Sequence, residues 1–243
     1  MSEQAGSELA RTVAGSLARV RARIQRECEL AGRRGQDVSL VAATKGFGAE
    51  VIAAAIAANL TDIGENYYQE ADVKFTRVAW PTYPVRKHFI GRLQRNKARR
   101  IAALFDVVQT VDDLAVAAQL DRGAKEAGKP SLDVFVQANI SQDDRGGVPT
   151  DSCVAFAAEL SRFEALRPRG LMAVGPRQSG AVPDAFGRAA RAYDAMRAVV
   201  PGIEHLSLGM SNDMGEAIRA GSTMLRIGTA LFGERVKEKE PVR

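Results

Sequence analysis

From residue 38 onward, short apolar runs alternate with stretches of helical periodicity, and this alternation restricts the possible folds more than any other feature of the chain. Eight strand-like runs occur: "VSLVAATK", "TDIGEN", "HFIG", "DVVQTV", "LDVFVQANI", "RPRGLMAVG", "HLSLGMS" and "TMLRIG". Helical patterns such as "AEVIAAAIAA", "DDLAVAAQLDRGAKEAG" and "PDAFGRAARAYDAMRAVV" separate them. Strands joined in this way run parallel, because only a crossover helix returns the chain to the same edge. The runs are nearly continuous in apolar residues, as expected of strands buried on both faces. Eight such units in 243 residues predict an α/β protein, a single (β/α)8 TIM barrel, rather than an open sheet.

No Pro/Gly/Ser-rich linker divides the chain, so residues 1–243 read as one domain. Leu9, Val13, Leu17, Val20, Ile24 and Leu30 predict an extra amphipathic N-terminal helix over 7–31, closed by the glycines of "GRRGQD". Residues 234–243 read as a charged, frayed tail. The start lacks the basic and apolar regions of a signal peptide, and no run approaches the roughly 18 apolar residues of a membrane span. A cytoplasmic protein without a membrane partner is expected. Cys28 and Cys153 stand apart, outside any metal-ligand spacing, so no metal site is expected. The net charge of +5 is spread over most helices. The densest stretch, "GRLQRNKARR", reads as a solvated face in preference to a nucleic-acid stripe, whose mark would be binding that weakens steeply with salt.

In a barrel of this type the C-terminal strand ends form the active mouth. Lys45, Glu65, Asn66, Gly91, Asn139, Met172, Ser207 to Ser211, Arg226, Gly228 and Thr229 stand there. The last two strands commonly hold a phosphate on backbone N–H groups. "SLGMSNDMGEAIRAG" offers Ser207, Ser211 and a capping box from Asp213 to Glu216, and "RIGTALFG" adds Gly228 with Thr229 beside it. No GxGxxG or GxxxxGK[ST] is present. A lysine in a low-dielectric pocket keeps a neutral amine that forms a Schiff base with an aldehyde. Lys45 opposite a phosphate cup therefore describes an aldehyde carrying a phosphate, and pyridoxal 5'-phosphate (PLP) is such a molecule. Arg226 shares a strand face with Gly228 and is placed to meet the pyridine nitrogen, keeping it unprotonated and the ring a poor electron sink. The bland alternatives are a snorkelling Lys45 and a rim ion pair at Arg226. Glu65 reads as an acid or base, or as an ion-pair partner; His88 and His205 begin their strands and read as structural.

The motifs "LVAATKGFGAEVI", "DIGENYYQEA", "HFIGRLQRNKARRI", "FDVVQTVDD", "RGLMAV", "LSLGMSNDM" and "GSTMLRIGTALFG" resemble, in order and spacing, the YggS/PROSC family of pyridoxal-phosphate homeostasis proteins. The resemblance covers about residues 38–233. It implies a barrel like the N-terminal domain of alanine racemase, with PLP on Lys45 and Asn66 beneath it. It further implies that Ser207, Gly228 and Thr229 hold the phosphate, that Met210 and Ser211 border it, and that Arg226 faces the pyridine nitrogen. Its implied role is intracellular PLP homeostasis without robust catalysis, with no catalytic residue assigned. A weak amino-acid racemase is the alternative, disfavoured because the second base of alanine racemase comes from an additional C-terminal domain. Implied partners are PLP and PLP-dependent apo-enzymes; a monomeric chain is expected. One departure is "DDRGG", where Arg145 replaces a lysine found in many members. A guanidinium keeps the attraction for phosphate but forms no Schiff base.

Overall fold

The computed structural model describes residues 3–141 and 146–234. Arg145 and the tail beyond Glu234 lie outside the described residues. Eight parallel strands form the barrel: β1 (Ser39–Ala43), β2 (Asp62–Glu65), β3 (Arg86–Phe89), β4 (Val107–Val111), β5 (Leu132–Asn139), β7 (Leu166–Met172), β8 (His205–Ser207) and β9 (Met224–Ile227). Each pairs with the next, and β1 pairs with β9 through Ala42 and Ile227, which closes the ring. A two-residue strand, β6 (Val148–Pro149), extends from the end of β5. The expected (β/α)8 barrel is therefore present.

Strand alternation sends one set of side chains inward and the other against the helices. Val41, Val107, Phe135, Met172 and Met224 fill the inside. Ala42, Ile63, Phe89, Val134, Leu171, Leu206, Leu225 and Ile227 join the larger outer core. The helices over that core are α2 (Ala49–Ala57), α3 (Tyr68–Phe75), α4 (Ala98–Leu104), α5 (Leu114–Glu126), α6 (Cys153–Leu160), α7 (Val182–Val199), α8 (Met214–Arg219) and the short α9 (Thr229–Phe232).

Helix α1 runs over Glu3–Leu30, starting earlier than the apolar stripe alone required. Its buried face is the predicted Val13, Leu17, Val20 and Ile24, continued by Cys28, and Gly32 at φ +66° ends it. The helix is pinned to the barrel mouth by Arg23, whose Nη1 donates to the Ser211 carbonyl at 2.8 Å. Among the described residues no helix is long and apolar enough to cross a membrane.

Candidate functional site

Lys45 follows β1 by two residues, half-buried in a turn. Val41 points inward, so continued alternation carries Ala43 and then Lys45 to the inner side and Thr44 to the outer. The outer placement of Thr44 is directly visible, since its hydroxyl donates to Glu65 Oε1 at 2.7 Å. The Gly64 carbonyl accepts the Thr44 N–H at 2.9 Å, which prolongs the β1–β2 ladder past the strand end. On the other side, Gly228 lies so close to β1 that an added Cβ would come within 3.0 Å of the Ala43 carbonyl oxygen. Lys45, Asn66 and Gly228 therefore share one sector of the mouth.

Beneath this sector lies a directed polar column. Arg226 Nη1 donates to the Ser207 carbonyl at 2.8 Å and to its hydroxyl at 2.6 Å, while Nη2 donates to the Ala173 carbonyl at 2.9 Å. Ser207 Oγ donates in turn to Gln109 Oε1 at 2.8 Å. Gln109 Nε2 lies 2.9 Å from His88 Nδ1, and His88 Nε2 lies 2.8 Å from Asp62 Oδ1. One tautomer satisfies this chain: the Gln109 amide donates to Nδ1, and the proton on Nε2 goes to Asp62. Burial holds His88 below its ordinary range although Asp62 pulls the other way, which agrees with a neutral ring. Burial also draws Arg226 down to about 10, against the charge of Asp213, and it remains a cation at neutral pH.

The column changes one expectation. The Ser207 hydroxyl is fully buried and committed to Gln109 and Arg226, so it braces the arginine rather than presenting itself to an anion. β8 ends at Ser207 with that side chain still in the interior layer, and only beyond it does Gly209, at φ +91°, bend the chain outward. Ser211 follows at the rim, where its Oγ accepts the Ala230 N–H at 3.4 Å and so ties this loop to the start of α9. Met210 is 40% exposed, and Thr229 is exposed beside the half-buried Gly228.

Two further expectations are corrected. Asp213 makes no side-chain cap on α8; its Oδ1 turns back to accept the Met210 N–H at 2.6 Å, which fixes the rim loop instead of the helix. Glu65 is not at the mouth. It alternates with the inward Gly64, points into the helix layer, and meets Lys74 of α3 at 2.8 Å. Burial pushes the Glu65 carboxyl up, with Lys74 and Thr44 opposing. The ion-pair reading of Glu65 is the one the geometry supports.

The rest of the mouth is a cavity of about 400 Å³ reached by Asn66, Gly91, Thr110, Asp112, Asn139 and Met172. Among the described residues, two buried polar atoms in its lining lack a hydrogen-bond partner, Asn66 Oδ1 and Thr110 Oγ1. Buried polar atoms are seldom left unmatched, so both mark where a ligand atom would be accommodated. Thr110 was not singled out from the sequence, where it sits among buried valines. It reaches the cavity because the β4–β5 register slips between Val108 and Val111, a bulge that re-aims one side chain. Lys74 and Gln109 were likewise missed, since nothing in a linear pattern tells a buried polar residue from a solvated one.

The sequence profile of the alanine racemase N-terminal domain family matches residues 16–236. A protein of Escherichia coli (strain K12) named pyridoxal phosphate homeostasis protein is 38% identical over 239 residues, covering 94% of this chain and 99% of the relative. A protein of the same name in Pseudomonas aeruginosa is 39% identical over 225 residues, covering 92% and 96%. Among solved structures, PipY of Synechococcus elongatus PCC7942 with PLP bound superposes with a TM-score of 0.78 at 31% identity, covering 91% of this chain and all of PipY.

Proposed function

The chain belongs to the alanine racemase N-terminal domain family, among the pyridoxal phosphate homeostasis proteins, and on that premise we propose that it binds PLP covalently through Lys45 and serves intracellular PLP homeostasis. The residues present suit that group. The observation that carries the reading is the pairing of a rigidly held guanidinium, Arg226, with an unmatched acceptor, Asn66 Oδ1, at the strand ends flanking Lys45. When bound, PLP supplies an aldehyde carbon to which a neutral amine adds with loss of water. The chain's own groups then have distinct duties. Lys45 supplies the amine. Arg226 would serve as the donor toward the pyridine nitrogen and would withhold a proton from it. Ser211, Thr229 and the backbone at Met210 and Gly228 would hold the phosphate, with Ser207 fixing Arg226 from below. Asn66 would lie under the ring.

Holding and exchange, rather than turnover, fit this mouth. Glu65 is turned outward, and His88 and His205 lie below the site. Asp113 caps α5 by accepting the Ala115 and Val116 N–H groups. PLP-dependent apo-enzymes are the proposed recipients, with the chain acting as a cytoplasmic monomer. A second reading, weak racemase-type chemistry, rests on Asp112, which lines the cavity and whose carboxyl burial pushes up; its Oδ2 accepts the Gly147 N–H at 3.0 Å. Exchange of amino-acid α-protons in deuterium oxide well above the rate with free PLP would favour that reading.

The deciding experiment is the near-visible spectrum before and after borohydride reduction, followed by peptide mass mapping. A reducible band and a stable adduct on Lys45, both lost in Lys45→Ala, are expected. An adduct that persists in Lys45→Ala would overturn the assignment.

A further inference from the structure

Lys45 is flanked on both sides by residues that α3 grips from outside the barrel. Lys74 Nζ, almost wholly buried, donates to the carbonyl oxygen of Thr44 at 2.9 Å and to Glu65 Oε1 at 2.8 Å, and it also pairs with Glu70. Glu65 Oε1 receives the Thr44 hydroxyl at 2.7 Å. Beyond Lys45, Glu70 Oε1 accepts the Gly46 N–H at 2.6 Å. The three hydrogens of one ammonium thus meet a backbone carbonyl and two carboxylates. Those carboxylates bond to the residues immediately before and after Lys45.

Such a cluster is a costly way to join a strand to a helix. A buried ion pair is often no more stabilising than apolar side chains of similar volume. Here Glu65 Oε2 is also buried without a hydrogen-bond partner. What the cluster supplies is position. Charge-assisted bonds to Thr44 and Gly46 define the path of the turn, and strand alternation then sends the intervening side chain to the opposite, inner side. An amine that must meet an aldehyde carbon is sensitive to that path, since a misplacement of about 1 Å can cost on the order of 100-fold in a positioned reaction.

We propose that Lys74, Glu65 and Glu70 form a positioning triad that holds the Thr44–Gly46 turn and thereby sets how readily the Lys45 amine captures and releases its aldehyde ligand. The proposal rests on the assignment of PLP to Lys45. None of the three residues lines the cavity at the mouth; each acts through the backbone on either side of Lys45.

The test measures release of bound PLP to hydroxylamine and the pH midpoint of the visible band, with thermal unfolding as the control. The Glu65→Leu/Lys74→Met double variant removes the ionic clamp while refilling its volume, and should unfold within about 5 °C of the wild type. It should still form an adduct on Lys45, yet release PLP about tenfold faster with a shifted pH midpoint. Glu70→Ala should speed release in the same direction, and Glu70→Gln, which keeps the acceptor for Gly46, should restore it. Wild-type release and midpoint in both the double variant and Glu70→Ala would overturn the proposal. Should the double variant fail to fold, the comparison of Glu70→Ala with Glu70→Gln decides alone. An absence of any Lys45 adduct in the wild type would instead overturn the ligand assignment, and the triad's role with it.

Discussion

Arg226 Nη1 donates to both oxygens of Ser207, to the carbonyl at 2.8 Å and to the hydroxyl at 2.6 Å, so this cation beneath the mouth is fixed by the neighbouring strand. With Nη2 on the Ala173 carbonyl, the guanidinium spans β9, β8 and the end of β7. A lysine offers no planar fork to reproduce that span.

Arg226→Met should therefore strand the buried Ala173 carbonyl, while the Ser207 carbonyl keeps the Ala173 N–H at 3.2 Å, and destabilise the fold by about 1–3 kcal/mol, as an unmatched buried acceptor does. The same variant should weaken PLP retention and move its visible band. Urea unfolding and a spectroscopic titration check the two effects separately.

Asn66→Ala should separate binding from folding. Asn66 Oδ1 has no hydrogen-bond partner among the described residues, so its removal should cost less than about 1 kcal/mol of stability. PLP affinity should nevertheless fall about tenfold, which equilibrium dialysis would read. Equal losses in both would contradict a ligand-facing role for this side chain.

Gly91→Ala should damage the same corner through the backbone. A Cβ at residue 91 would fall 1.9 Å from the Asn66 carbonyl oxygen, closer than any packing tolerates. A loss of about 3 kcal/mol is expected from this overpacking, together with weakened PLP binding. Chemical denaturation and cofactor titration provide the check.

The His88 column predicts acid sensitivity. Burial holds the folded His88 below 6.5, while the unfolded chain takes up its proton near 6.5. Between these two values the unfolded state binds more protons, so stability falls as the pH drops through 6.5, by up to about 1.4 kcal/mol per pH unit. Protonation at Nδ1 would also set an N–H against the Gln109 amide and break the column. His205, lowered by burial and then by Arg86, acts in the same sense, while the raised Glu65 acts in the opposite one. The His88 share is therefore the difference between wild type and His88→Gln. Thermal unfolding at pH 8 and pH 5.5 should show a smaller gap in the variant.

Both thiols should be silent in the folded protein. Burial pushes Cys153 up to about 12, leaving almost no thiolate at pH 8, and it raises Cys28 in the same direction. An aromatic disulfide reagent should label neither in the native state and both after unfolding.

The sequence by itself determined the barrel. Apolar runs alternating with helical periodicity define parallel strands and their crossovers, and that pattern needs no knowledge of which residues touch. It also placed Lys45, Asn66, Arg226 and the Gly228–Thr229 turn at strand ends, because strand direction alone decides which end of each run meets the mouth. Only the tertiary structure decided which side chains share an interior layer. Gln109 lies 98 residues from Ser207 along the chain, yet barrel closure sets their side chains 2.8 Å apart. The outward turn of Glu65 and the reach of Lys74 to Thr44 depend on strand phase and on where α3 docks, neither of which a linear pattern records. Periodicity reports the burial of a side chain; its hydrogen-bond partner is chosen by elements far away in sequence.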